Sequence, residues 1–180
     1  MADGSNPQVL SLNIQSAYTQ FVFWTRSMLV SVVSDVKGRP ETIEKLKDIP
    51  NELYSVFLDH YETDECETLR SLHLDQALLF VEIARAYAYE NSDLYELSYE
   101  RLVQNTEAIA AGFNRANPLN ALDQTANYFL RDVQKTIDQI RLRFDGEFVQ
   151  EITAFDEAYQ NIISLAEYLS ANIAAKPSDS

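Results

Sequence analysis

Three charged residues lie in segments that are otherwise rich in apolar side chains, and they are the first candidates for chemistry. They are Arg26, Glu82 and Glu167. Because a charge buried in a protein core is costly unless it is paired, we predict that Arg26 forms an ion pair with Glu82 or Glu167. The same side chains would otherwise form the floor of a pocket for a small anion or another ligand, or act as paired carboxylates in acid–base catalysis.

The two histidines and the single cysteine are the other common sources of reactivity. His60 is predicted near a helix C-terminus, where an imidazolium ion complements the helix dipole, and His73 is predicted to be half-exposed. Cys66 lies among acidic residues in the sequence. Such neighbours should raise the pKa of its thiol and disfavour a reactive thiolate.

Spacing motifs that identify common catalytic and metal sites are absent from the sequence. It contains no His-x-x-x-His, Glu-x-x-His or Cys-x-x-Cys spacing, which are the usual local sources of metal ligands. It also lacks a glycine-rich phosphate loop and a Gly-x-Ser-x-Gly nucleophile motif. We therefore predict no catalytic residue, no metal and no cofactor, and we expect a protein other than an enzyme.

The composition indicates one acidic, soluble domain. Of its 180 residues 46% are hydrophobic, and its 28 acidic and 14 basic residues give a formal charge of -14. Charge of this sign repels nucleic acids and anionic membranes, so neither is expected as a partner. The most apolar window, residues 21–33, is too short to span a bilayer. A lone cysteine and the lack of an apolar signal segment favour a cytoplasmic location.

Helices explain the sequence better than strands do. Only four glycines and five prolines occur, whereas all-β domains need many tight turns built from these residues. Apolar residues recur at steps of three and four, the period of one helix face. We predict five long helices and one weaker segment that Pro50 breaks into two short helices. The predicted segments are 9–37, 40–61 (the weaker one), 65–90, 93–114, 120–144 and 148–173.

The predicted helix starts rest on capping signals, and the predicted fold rests on one clear apolar pattern. Asp64 and Asp93 are each followed three residues later by Glu, as in a capping box, and Asn120 is predicted to start the fifth helix. The last helix has the most regular spacing, which is typical of a helix-packing seam. This line is Phe148, Ile152, Phe155, Tyr159, Ile162, Ala166, Leu169 and Ile173.

Short connections between long helices make neighbouring helices antiparallel. The predicted fold is therefore all-α, an up-and-down bundle of four long core helices with one or two covering segments. The bundle is predicted to occupy residues 9–174 as a single domain. Residues 1–8 and 175–180 are predicted to be disordered.

Two stretches carry a resemblance to a known group of proteins. The segments 21–31, which contains Trp-Thr-Arg, and 155–169 resemble a little-characterised family of small bacterial helical-bundle proteins. The resemblance spans roughly residues 15–173. In that family, histidines on the core helices look like a metal or acid–base layer. Here the matching positions are Phe21, Gln76, Asp132 and Asn161. The resemblance thus implies an inner layer of aromatic, amide and carboxylate groups, with the transition-metal site lost or weakened.

These observations predict two classes of function. The leading prediction is a non-catalytic bundle that acts by self-association, as a homo-oligomer, or by binding a protein or a small-ligand partner. Tyr87, Tyr89, Tyr95 and Tyr99 could form its interface or belong to its core. The alternative is a metal- or ligand-binding bundle, possibly an enzyme, with a polar site between the helices. The candidate ligand-binding residues are Arg26, Gln76, Glu82, Asp132, Asn161 and Glu167.

Overall fold

The computed structural model describes residues 7–34 and 38–176 of the chain. Within these residues 89% are helical and there is no strand, which confirms the all-α prediction. The described ranges contain six helices. They are α1 (Pro7–Val33), α2 (Arg39–Phe57), α3 (Thr63–Ala88), α4 (Ser92–Ala116), α5 (Leu122–Phe144) and α6 (Phe148–Ala175).

The six helices form a closed ring. Each helix packs against the next one in sequence, and α6 packs back against α1. α1, α3 and α5 also contact one another, so they lie on the inside of the ring. Because short connections reverse the chain at each step, these three inner helices run parallel. The expected division into four core helices and one or two covering segments is not confirmed, since all six helices bury residues.

Pro50 does not break the second helix, so that prediction is wrong. α2 continues through Pro50 to Phe57, and the proline side chain is buried with Ile49 and Leu53. A proline removes one hydrogen-bond donor from a helix, but packing of its ring in the core can offset that loss. Gly38 precedes α2 with a left-handed φ of 93°. The predicted end of the first helix at Lys37 lies outside the described residues.

The predicted capping residues are also wrong. α3 begins at Thr63, and α4 is capped by Asn91, whose side chain accepts a hydrogen bond from the Leu94 amide at 3.0 Å. Asp64 and Asp93 instead lie in the first turns of these helices, where a carboxylate complements the helix dipole. Asn120 does not cap α5 either. Its side-chain amide donates to the Tyr61 hydroxyl and a backbone carbonyl.

α3 and α5 end in the same hydrogen-bonded turn, but with different residues at its left-handed position. The Asn91 amide donates to the Ala86 carbonyl at 2.9 Å, and the Glu147 amide donates to the Leu142 carbonyl at 2.8 Å. Gly146 holds the left-handed position after α5 with a φ of 77°, whereas Glu90 holds it after α3 with a φ of 51°. Glycine adopts this conformation readily, but a residue with a Cβ atom adopts it at a cost in free energy.

Replacing Glu90 with glycine should therefore stabilise the protein. We expect a gain of about 1 kcal/mol in the free energy of unfolding, because the left-handed conformation costs an L-residue about 1–2 kcal/mol. Urea denaturation of the wild-type protein and the variant measures this difference. The matched control is Gly146→Ala, which should be destabilised by a similar amount. An unchanged or lower stability of the Glu90 variant would contradict the interpretation.

α6 turns a different face to the core than its apolar pattern predicts. Its buried residues include Glu151, Ala154 and Ala158, whereas Phe148 and Ile152 are 53% and 49% exposed. The predicted seam is therefore wrong in the first half of the helix. Small alanine side chains allow α6 to approach its neighbours closely, and Glu151 has half-buried partners that the pattern does not reveal.

Candidate functional site

The first candidate site lies where the three inner helices meet, around His73. The structure places this residue at 1% exposure, so the prediction of a half-exposed histidine is wrong. Its Nδ1 donates to the Leu69 carbonyl at 2.7 Å, and its Nε2 accepts a hydrogen bond from the Tyr18 hydroxyl at 3.0 Å. Both ring nitrogens are therefore satisfied, which is what allows a neutral imidazole to be buried.

Aromatic rings enclose the imidazole of His73. The rings of Phe21, Phe113 and Phe129 lie 6.3, 6.2 and 5.9 Å from its centroid. This apolar surrounding disfavours the charged form. Burial lowers the pKa of His73 to about 4, although its hydrogen bond to the Leu69 carbonyl acts in the opposite direction. The pKa of Tyr18 is raised, first by burial and then by nearby Tyr61 and Asp132. Both side chains are neutral at physiological pH.

Gln76 and Asp132 continue this polar group one turn further along the bundle. Gln76 lies three residues after His73 on α3, and Asp132 lies three residues after Phe129 on α5. Because these two helices run parallel, the two residues lie at the same level of the bundle. They are 1% and 3% exposed. Gln76 Nε2 and Asp132 Oδ1 have no hydrogen-bond partner in the described structure. Burial alone raises the pKa of Asp132 to about 7.

We call Tyr18, His73, Gln76 and Asp132 the inner polar layer. Its carboxyl group can change protonation near neutral pH, which is a property of many functional carboxylates. A metal site has less support. The described residues contain no group of three or more His, Cys, Asp or Glu side chains that could hold an ion. One imidazole and one carboxylate are too few for a structural zinc site, which takes four ligands.

The second candidate site is an ion triad between α1, α5 and α6. Glu151 is 1% exposed and accepts hydrogen bonds from two arginines. Arg26 contacts both of its carboxylate oxygens, at 2.8 and 3.0 Å, and Arg143 contacts one at 3.1 Å. Arg26 also lies over the ring of Phe155, and Arg143 lies over the ring of Phe148. The triad has two positive charges and one negative charge.

The predicted partners of Arg26 are therefore wrong. Glu82 pairs with Arg101 at 3.2 Å and accepts a hydrogen bond from Ser98 at 3.1 Å, while Glu167 is exposed on α6. Arg26 does pair with a carboxylate, but with one whose sequence position is 125 residues away. Sequence spacing alone does not reveal that α6 returns to α1.

The remaining candidates are placed apart from the two sites. Asn161 is half-buried and donates to the Tyr128 carbonyl at 2.8 Å, which joins α6 to α5. Burial is the main cause that raises the pKa of Cys66, and the acidic neighbours add to it. Burial also lowers the pKa of His60, despite the opposite effect of Asp59. A cationic His60 at a helix end is therefore not favoured.

Sequence reasoning missed Tyr18, His73, Arg143 and Glu151 as site residues. A signal for two of them was present. On α3, the spacing 69, 73, 76, 80, 83 fits one helix face, and it includes His73. On α6, the spacing 151, 154, 158, 162, 165, 169 does the same for Glu151. Each of these two faces contains a polar residue, so a search for purely apolar spacing does not select it.

Four exposed apolar side chains lie on α1 and α6, the helices that supply Arg26 and Glu151 to the ion triad. We define the apolar strip as Phe23, Phe148, Val149 and Ile152, which are 52%, 53%, 77% and 49% exposed. Phe23 lies one turn before Arg26 on α1, and its ring packs edge-on against Trp24 at 5.5 Å. Exposed apolar side chains grouped beside charged residues are typical of interaction sites.

The four tyrosines for which the sequence allows either an interface or a core position do not share one environment. Tyr87, Tyr95 and Tyr99 are half-buried and pack on the core together with Phe144, while Tyr89 is 74% exposed.

None of the described helices is long and apolar enough to cross a membrane. No protein-family model, curated protein or solved structure matches this chain.

Proposed function

We propose that this chain is a non-catalytic binding protein that associates with a second copy of itself through the apolar strip. The observation that supports the proposal most is the orientation of α6. Its most regular apolar line begins with Phe148 and Ile152, yet both side chains lie outside the core. Burial of such side chains against a partner would recover the free energy that exposure in water forgoes.

Charge makes the strip the surface at which a second copy meets the least repulsion. Two molecules with a formal charge of -14 repel each other over most of their surfaces. α1 contains no acidic residue and only one basic residue, Arg26. The adjacent ion triad adds a net positive charge at the same place. Two copies related by a twofold axis could therefore approach most easily strip to strip, in the self-complementary arrangement typical of dimers.

A polar site inside the bundle is the second proposal, and the inner polar layer supports it. Gln76 Nε2 and Asp132 Oδ1 are buried without partners, and a small ligand or water could satisfy them. The family resemblance points to the same two positions. Native mass spectrometry separates the two proposals, because a dimer without added mass favours the strip, whereas a monomer with a bound molecule favours the inner polar layer.

Introducing a negative charge into the strip should prevent self-association. We expect Phe23→Glu and Ile152→Glu each to weaken dimer formation by about 100-fold, since a central interface side chain contributes about 2–4 kcal/mol. Sedimentation velocity over a concentration series measures the change. Leu119→Glu is the matched control, because Leu119 is 46% exposed but lies in the connection before α5. A wild-type protein that stays monomeric, or variants that dimerise normally, would rule out this interface.

A further inference from the structure

A pocket of about 320 Å³ lies at the turn between α3 and α4, separate from the apolar strip and the inner polar layer. This volume is at the lower end of the range for small-molecule sites. Its walls are mostly apolar and come from the last turn of α3, the turn itself and the first turn of α4. The lining residues are Ala86, Tyr87, Glu90, Asn91, Ser92 and Tyr95.

Two tyrosine rings form a rigid corner of this pocket. Tyr87 and Tyr95 pack edge to face, with centroids 5.2 Å apart and an angle of 82° between their planes. Each ring is supported from behind, Tyr87 by Phe144 at 5.8 Å and Tyr95 by Tyr99 at 5.9 Å. These contacts leave one ring face of the pair free, and because the face of an aromatic ring carries partial negative charge, that face attracts cations.

Glu90 supplies the formal negative charge of the pocket. It is the acidic residue among the six lining residues, and among the described residues no basic side chain forms an ion pair with it. It also occupies the left-handed position that glycine fills at the equivalent turn after α5. A residue kept in a strained conformation beside a pocket is a reason to suspect a role in binding.

The helix ends around the pocket also favour a positive ligand. The C-terminal end of α3 carries partial negative charge, which Arg85 in the last turn offsets in part. The N-terminal end of α4 carries the opposite charge, but it is offset by the Asn91 side chain, which accepts from the Leu94 amide, and by Asp93 in the first turn. The formal charge of -14 on the whole chain acts in the same direction.

We propose that this pocket binds a small organic cation, a molecule whose ammonium group lies against the rings of Tyr87 and Tyr95 with Glu90 as its counter-ion. Ammonium groups on small molecules are recognised by this combination of aromatic faces and a carboxylate. The site is independent of self-association, because none of its lining residues belongs to the apolar strip.

Choline and its uncharged analogue 3,3-dimethylbutan-1-ol provide the direct test, because they have the same shape and differ in charge. Isothermal titration calorimetry with the wild-type protein should show choline binding about tenfold more tightly than the alcohol. Equal binding of the two compounds, or no binding of choline at millimolar concentration, would overturn the proposal.

Variants of the pocket assign the binding to its parts. Glu90→Gln and Glu90→Gly should each weaken choline binding about fivefold or more, and Tyr95→Leu should abolish it. The glycine variant is expected to be more stable than the wild-type protein, so its loss of binding cannot come from unfolding. Glu107→Gln is the matched control, because it makes the same charge change at an exposed residue that lies about 18 Å from Tyr95 along α4. Unchanged binding in the Glu90 variants would also overturn the proposal.

Discussion

Replacing Glu151 with leucine should lower the free energy of unfolding by about 3–5 kcal/mol, because it removes the common partner of two arginines. Arg143 is 17% exposed, and its Nε already lacks a hydrogen-bond partner in the described structure. Without Glu151 the two guanidinium groups would repel each other beside the core. Glu151 also lies in the first turn of α6, where its negative charge is favourable. Urea denaturation measures the loss.

A matched variant distinguishes loss of the triad from loss of one contact. Arg26→Met leaves Glu151 paired with Arg143, so it should cost about half as much or less. Arg26 is the more exposed of the two arginines, at 28%, so solvent already weakens its pairing. Equal effects of the two substitutions, or a Glu151 variant as stable as the wild-type protein, would show that the triad contributes little to stability.

The free energy of unfolding of the wild-type protein should fall by about 4 kcal/mol between pH 4 and pH 8 because of Asp132, and replacing this residue with asparagine should remove that contribution. The carboxyl group has a pKa near 3.8 in the unfolded chain and about 7 in the folded protein. Between these values the folded state holds a proton that the unfolded state has lost. Stability therefore falls as pH rises through this window, and Asp132→Asn should remove that fall.

His73 has the opposite effect over almost the same pH range. Its pKa is near 6.5 in the unfolded chain and about 4 in the folded protein. Between these values the unfolded state holds the extra proton, so stability rises with pH by about 3 kcal/mol. The two contributions cancel between pH 4 and pH 6.5, because folding in effect moves one proton from His73 to Asp132.

The experiment is a set of urea denaturation curves for the wild-type protein and Asp132→Asn from pH 4 to pH 8. The variant should gain stability over the wild-type protein steadily as pH rises, and the difference should level off above pH 7. Asp123→Asn is the control, because Asp123 is exposed in the first turn of α5. A difference between Asp132→Asn and wild type that does not change with pH would contradict the assignment of a buried, neutral carboxyl group.

The helices and their approximate bounds follow from the sequence because they depend on local properties. Scarce glycine and proline, apolar spacing and short polar connections are enough to predict an all-α bundle. The choice of buried face is harder. On α6 the line that begins with Phe148 is more apolar than the line that contains Glu151 and Ala154, yet the second one is buried. Close helix approach and a distant charge partner decide the outcome, and neither is a local property.

The candidate sites were predictable in part for the same reason. Gln76 and Asp132 are expected from the family resemblance, which stays a prediction, and an ion pair for Arg26 follows from the cost of an isolated charge. The identity of its partner requires knowing that α6 closes the ring against α1. The burial of His73 requires knowing that Tyr18 on another helix supplies its hydrogen bond. The pocket beside Glu90 depends on a turn conformation that glycine would normally indicate.

Closure of the ring between the first and last helices has a consequence for synthesis on the ribosome. α1 is made before the other five helices and its neighbour α6 after them, so one side of an inner helix stays uncovered until residues 148–175 emerge. Contacts between such distant segments form late and slow the completion of folding. The nascent chain therefore exposes apolar residues of α1 until α6 has been made, and exposed apolar surface of this kind is what chaperones bind.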